Sequence, residues 1–210
     1  MTVYRERMNA PKPIEFWFDF SSPYAYIANE WIDALAARHG RTVQRHAVLL
    51  GAIFPQADLK PLVSYPIKGE YARRDILRSA RFERVPFTFP EAFPLPTQNA
   101  ARVFWWLDAD QGQTRAAQWA RTAMRAYFTR GENLKDAGVL RALVVEAGLD
   151  ADAAEAAWNE PRWKDRLRQA NDDAVKCGVF GAPYFIIDGE PFWGNDRKAQ
   201  MERWLTEGPF

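Results

Sequence analysis

From Ile14 the chain alternates: Ile14, Phe16, Phe18 and Phe20 fall on one side, Glu15, Trp17 and Asp19 on the other. A period of two in so aromatic a run predicts a strand. The period then changes. Ser22 stands where a helix N-cap is wanted and Pro23 at the first helical position, with Tyr24, Ile27, Ala28, Trp31 and Leu35 at helical spacing up to Gly40. The stretch TVQRHAVLL reads as a second, shorter strand, so the opening predicts a βαβ unit with a right-handed crossover.

The middle of the chain has another character. FPQADLKPLVSYPIKG and RVPFTFPEAFPLPTQN are proline-rich and turn-like, and EYARRDILRSARFE between them predicts a short helix. From Thr97 to Lys176 the spacing is helical throughout. Ala116, Trp119, Ala120, Ala123 and Tyr127 form one apolar stripe closed by Gly131; Val139, Leu140, Leu143 and Val144 form another ended by Gly148. Pro161 starts a last one with Trp163, Leu167, Ala170 and Ala174, stopped by Gly178. Two short apolar runs then flank Asp188-Gly189, a strong hairpin signal, and Asn195 is expected to cap a final helix with Met201, Trp204 and Leu205 inward. The predicted order, β-α-β, a helical block, then β-β-α, is that of an α/β thioredoxin-like fold with a large all-helical insertion. On this reading residues 13–60 plus 174–210 make the thioredoxin-like domain and residues 61–173 the helical insertion domain.

Composition narrows the function classes. In 210 residues, 48% hydrophobic and 14% aromatic content fills a substantial core, which disfavours disorder. The net charge of +1 leaves no basic stripe for nucleic acid and no polybasic membrane patch. AVLLGAIF, the longest apolar stretch, is too short to span a bilayer, and the N-terminus lacks the apolar segment of a signal peptide, so a cytoplasmic protein is expected. One cysteine, Cys177, allows neither an internal disulfide nor a dithiol redox cycle, and two histidines, His39 and His46, lack metal-ligand spacing. No metal is expected.

The stretch DFSSPYAY ends the first strand where a thiol-redox protein would carry Cys-x-x-Cys; here the positions read Ser22-Pro23-Tyr24-Ala25. On the residues alone, Ser22 is accounted for either as a helix cap or as a donor to an anion at a helix N-terminus. It lacks the surroundings of a nucleophilic serine, with no Gly-x-Ser-x-Gly elbow.

FWFDFSSPYAYIA, YPIKGEYARRD and, most specifically, FGAPYFIIDGEPFWGNDR resemble the 2-hydroxychromene-2-carboxylate isomerase family, related to kappa-class glutathione transferases and bacterial disulfide oxidoreductases. The resemblance runs from about residue 13 to residue 207. It implies glutathione as the cofactor, Ser22 as the catalytic residue touching its sulfur, and a homodimer. It further implies a cis-proline at Pro183 that leaves the Ala182 backbone to pair with the peptide. The γ-glutamyl end would meet Asn195 and Asp196, and Lys68 would meet the other carboxylate. Asn195 and Asp196 are equally accounted for as helix caps, and Lys68 as a solvated charge.

One departure stands out. The family carries an asparagine near position 59, where this chain reads Leu59 with Lys60 beside it; a one-residue slip, or Asp58 in its place, would restore a polar group. Trp105 and Trp106 are candidates for a substrate pocket, with core packing the alternative, and Cys177 reads as an inert thiol. The implied activity is glutathione-dependent isomerisation of an aromatic oxo-acid. The alternatives are a kappa-like transferase or peroxidase, and a non-catalytic protein that binds thiol peptides.

Overall fold

The structure, a computed structural model, describes residues 11–210. Most of the N-terminal stretch read above for a signal peptide lies outside them. Strand β1 (Ile14–Phe18) leads into α1 (Pro23–Arg38) and β2 (Val43–Ala47). A single turn, α2 (Leu50–Ile53), opens an irregular stretch with two 3₁₀ turns before α3 (Lys68–Phe82). The helical block is α4 (Gln98–Gln111), α5 (Gln113–Arg130), α6 (Ala137–Glu146), α7 (Ala151–Asn159) and α8 (Pro161–Lys176). Strands β3 (Tyr184–Ile187) and β4 (Glu190–Trp193), a 3₁₀ turn Asn195–Arg197 and α9 (Lys198–Glu207) complete the chain.

One sheet of order β2-β1-β3-β4 organises these elements, with β1 parallel to β2 and antiparallel to β3, and β3 antiparallel to β4. The β1-α1-β2 and β3-β4-α9 halves therefore meet along β1 and β3, as the thioredoxin-like order requires. Asp188 (φ 55°) and Gly189 (φ 95°) both take the positive φ that a two-residue hairpin turn of this kind needs.

The alternation in β1 is incomplete, because Trp17 is buried as well as Phe16 and Phe18. The sheet is covered on both faces. Phe16 stacks on Phe185 with centroids 5.1 Å apart, beside Trp31 of α1. On the opposite side Trp17 stacks on His46 at 4.1 Å, and Trp105 of α4 donates its indole N–H to the Ala47 carbonyl at 2.9 Å. One buried cluster continues from the sheet through Phe104 and Trp119 to Leu143 and Trp163, so the insertion shares its core with the sheet.

Candidate active site

The β1-α1 turn presents Ser22 as the N-cap of α1, 6% exposed, with φ −87° and ψ 114°. Its Oγ accepts from the Ala25 N–H at 3.2 Å and donates to the Ala182 carbonyl at 3.0 Å, joining the helix start to the loop before β3. The Ala182–Pro183 bond is cis, as the family resemblance implies. In the first turn of α1, Ser22 N–H bonds to the Asp19 carbonyl, Pro23 has no N–H, and Ala25 is satisfied by Ser22. Tyr24 N–H remains without a partner among the described residues. A free amide beside a hydroxyl at a helix N-terminus is an arrangement that attracts an anion.

Ser22 lies on the wall of a cleft of about 550 Å³ that Lys68 and Ala182 also line. That volume falls within the roughly 300–1,000 Å³ of small-molecule sites. Its walls are largely apolar. On one side Phe180 meets Trp193 edge-on at 4.8 Å, with Gly181 so close that a Cβ there would lie 2.5 Å from the Trp193 indole nitrogen. On the other, Leu59 (39% exposed), Leu62 and Tyr65 come from the irregular segment after α2, and Phe93 and Leu95 from the proline-rich segment before α4.

Asp19 also lines the cleft, at 3% exposure, and sequence reasoning missed it as a site residue. Oδ1 accepts from Ser21 N–H at 2.8 Å, Ser21 Oγ at 2.9 Å and Thr97 Oγ1 at 3.1 Å, while Oδ2 accepts from Leu50 N–H at 2.7 Å. One carboxylate thus ties the β1-α1 turn, the start of α2 and the N-cap residue of α4 together. Burial pushes its pKa up, against the hydrogen bonds from Ser21, Leu50 and Thr97. Its only sequence signal was a carboxylate two residues before the Ser-Ser-Pro turn, with Phe20 between.

The remaining expected residues divide. Pro183 is buried, and its carbonyl accepts from Gly194 N–H at 3.0 Å, which ties the start of the Gly194–Arg197 stretch to the cis-proline. Asn195 is not the cap expected for the last helix. Its buried Oδ1 accepts from the Trp31 indole at 2.8 Å, and the N-cap position of α9 is Arg197, which makes no side-chain cap bond. Asp196 has a side chain 70% exposed and pairs with Arg197, outside the cleft lining. Its charge still contributes to raising the Tyr24 phenol, whose shift comes first from burial and then from the Asp75 carboxylate.

Trp105 and Trp106 do not line the cleft. Trp105 is buried beneath the Arg166 guanidinium, 3.6 Å from its ring, and the aromatic wall comes instead from Phe180 and Trp193. Leu59 does face the cleft, whereas Asp58 (φ 52°) closes the preceding 3₁₀ turn and is not among the lining residues. Cys177 is exposed at the end of α8, its thiol pushed up chiefly by burial of the sulfur. Neither histidine lines the cleft, so Ser22 has no imidazole base beside it.

Residues 13–206 match the DSBA-like thioredoxin domain. The chain is 31% identical to a 2-hydroxychromene-2-carboxylate isomerase of Sphingobium xenophagum, over 93% of this chain and 99% of that protein. It is 22% identical to human glutathione S-transferase kappa 1, over 94% and 92% of the two chains. Among solved structures, a 2-hydroxychromene-2-carboxylate isomerase superposes with a TM-score of 0.81 at 24% identity, covering 92% of this chain and 94% of that one. The cytosolic disulfide reductase DsbM of Pseudomonas aeruginosa, solved with GSH, gives 0.64 at 18% identity over 92% and 99%. The chain belongs to the DSBA-like thioredoxin family, in the company of 2-hydroxychromene-2-carboxylate isomerases and kappa-class glutathione transferases.

Proposed function

We propose that this protein is a glutathione-dependent isomerase acting on a 2-hydroxychromene-2-carboxylate-like aromatic oxo-acid. The observation that carries the reading is Ser22: a serine, with no cysteine beside it, at a helix N-terminus on an apolar cleft and against the Ala182–Pro183 loop. The chain's single cysteine is elsewhere, so a thiol for this site has to come from a ligand.

The residues present fit such a ligand. Tyr24 N–H and the Ser22 hydroxyl would face its sulfur, the dipole of α1 favouring the anion. The Ala182 N–H, which has no partner among the described residues, is available to an extended peptide. Lys68, whose Nζ sits 5.5 Å from the Tyr65 ring centroid, would take a terminal carboxylate, and Asp196 beside Tyr24 an ammonium. Asn195 would act from behind, by fixing the backbone of that segment through Trp31.

Glutathione held at Ser22 and Ala182 would supply a thiolate nucleophile that is returned at the end of turnover, so it would not be consumed. The chain's part is to stabilise that anion, exclude water with Phe180, Trp193 and Leu59, and hold the acid in place. Among the relatives, the kappa-class transferases favour a second reading, in which glutathione is used up. The test is to follow the ultraviolet spectrum of 2-hydroxychromene-2-carboxylate with glutathione and purified protein. Isomerisation with glutathione recovered quantitatively is expected; stoichiometric loss of free thiol would favour the transferase. No calorimetric binding of glutathione would favour a protein that has lost it.

A further inference from the structure

Among the described residues, Lys60 and Lys68 are the only cations lining the cleft, and both lie against one ring: Lys60 Nζ is 4.7 Å and Lys68 Nζ 5.5 Å from the Tyr65 centroid. An aromatic face attracts an ammonium within about 6 Å, but two ammonium groups on one ring repel each other. Neither lysine has an ion-pair partner among the described residues. Asp19, the one carboxylate in the lining, already accepts four hydrogen bonds. The cleft therefore carries two uncompensated positive charges at its Tyr65 side, where Leu59 and Leu62 add half-exposed apolar surface. An apolar lip around a cation complements a flat apolar ligand bearing a carboxylate.

We infer that Lys60 is the specificity-determining cation of this cleft and holds the carboxylate of an acidic aromatic second ligand, while Lys68 holds that of the thiol peptide. The division of labour rests on the glutathione reading; the carboxylate preference does not. Leu59 and Lys60 are neighbours in the chain and both line the cleft, so apolar surface and a positive charge stand side by side there. An acid gains from both.

The test is calorimetric titration of wild type, Lys60→Gln and Lys68→Gln with cinnamate and with cinnamamide, its uncharged counterpart, with and without glutathione. Circular dichroism checks that each variant folds. Wild type should prefer cinnamate by about two- to fivefold, the range for a partly exposed charge pair. Lys60→Gln should abolish that preference and leave the glutathione Kd within about twofold. Lys68→Gln should weaken glutathione and keep the preference. The inference is overturned by no cinnamate preference in wild type, by a preference that survives in Lys60→Gln, or by equal losses of cinnamate and glutathione in that variant. Failure of wild type to bind glutathione removes the proposed function and leaves the cinnamate result to stand or fall by itself.

Discussion

Replacing Ser22 by alanine separates a role toward sulfur from a role in the fold. Oγ accepts from Ala25 N–H and gives its only proton to the Ala182 carbonyl. Losing an N-cap costs about 1 kcal/mol, and losing the donor to a partly buried carbonyl about 1 kcal/mol more. Stability should therefore fall by about 2 kcal/mol whatever the ligand does. To donate to a thiolate, the hydroxyl must turn away from Ala182. A bond to an anion, worth about 1.5–3 kcal/mol, then replaces a neutral one worth about 0.5–1.5 kcal/mol. The difference, about 1–1.5 kcal/mol, corresponds to about one pKa unit. Ser22→Ala should thus raise the pKa of bound glutathione by about one unit, with part of the stabilisation kept by Tyr24 N–H and the helix N-terminus. The assay is thiolate ultraviolet absorbance of the bound complex against pH, beside urea unfolding of both proteins. If the two pH titrations coincide while the stability loss is found, Ser22 is a cap and nothing more.

Two further outcomes are expected. Asp196→Asn should weaken glutathione by about two- to fivefold and a des-amino analogue not at all; the effect is small because Asp196 is largely exposed and already paired with Arg197, and equal losses for both ligands in calorimetry would remove the ammonium contact. His46 has its pKa lowered to about 4, mainly by burial and then by Arg166, with Asp173 opposing. The folded state then binds fewer protons than the unfolded chain between about pH 4 and 6.5, so stability is full above pH 6.5 and drops by about 2–3 kcal/mol as pH falls toward 4. His46→Gln should flatten that acid limb in urea unfolding at pH 7 and pH 4.5, and an unchanged acid loss would assign it to other groups.

The parts of the molecule that were legible are those with a period. β1, α1 and the β3-β4 hairpin follow from alternation, a Ser-Pro start and Asp188-Gly189, because each is decided by neighbours in sequence. Ser22 was reachable for the same reason, since an N-cap is a local device. The cleft is another matter. Its walls come from the irregular residues after β2, such as Leu59 and Leu62, and from Phe93 and Leu95 before α4, where no period exists to read. Trp105, whose helical position made it as plausible a wall as any, is instead consumed by the Ala47 carbonyl and the Arg166 guanidinium. Asp19 was hidden for a related reason. Its meaning lies in Leu50 and Thr97, 31 and 78 residues away, which only the folded chain brings to one carboxylate. That same carboxylate fixes the two irregular walls to the Ser22 turn. The residues least visible in the sequence are thus the ones that set the width of the cleft, while the most visible one sits on its wall. The cation inferred to select an acid, Lys60, thus stands in a segment that periodicity cannot reach.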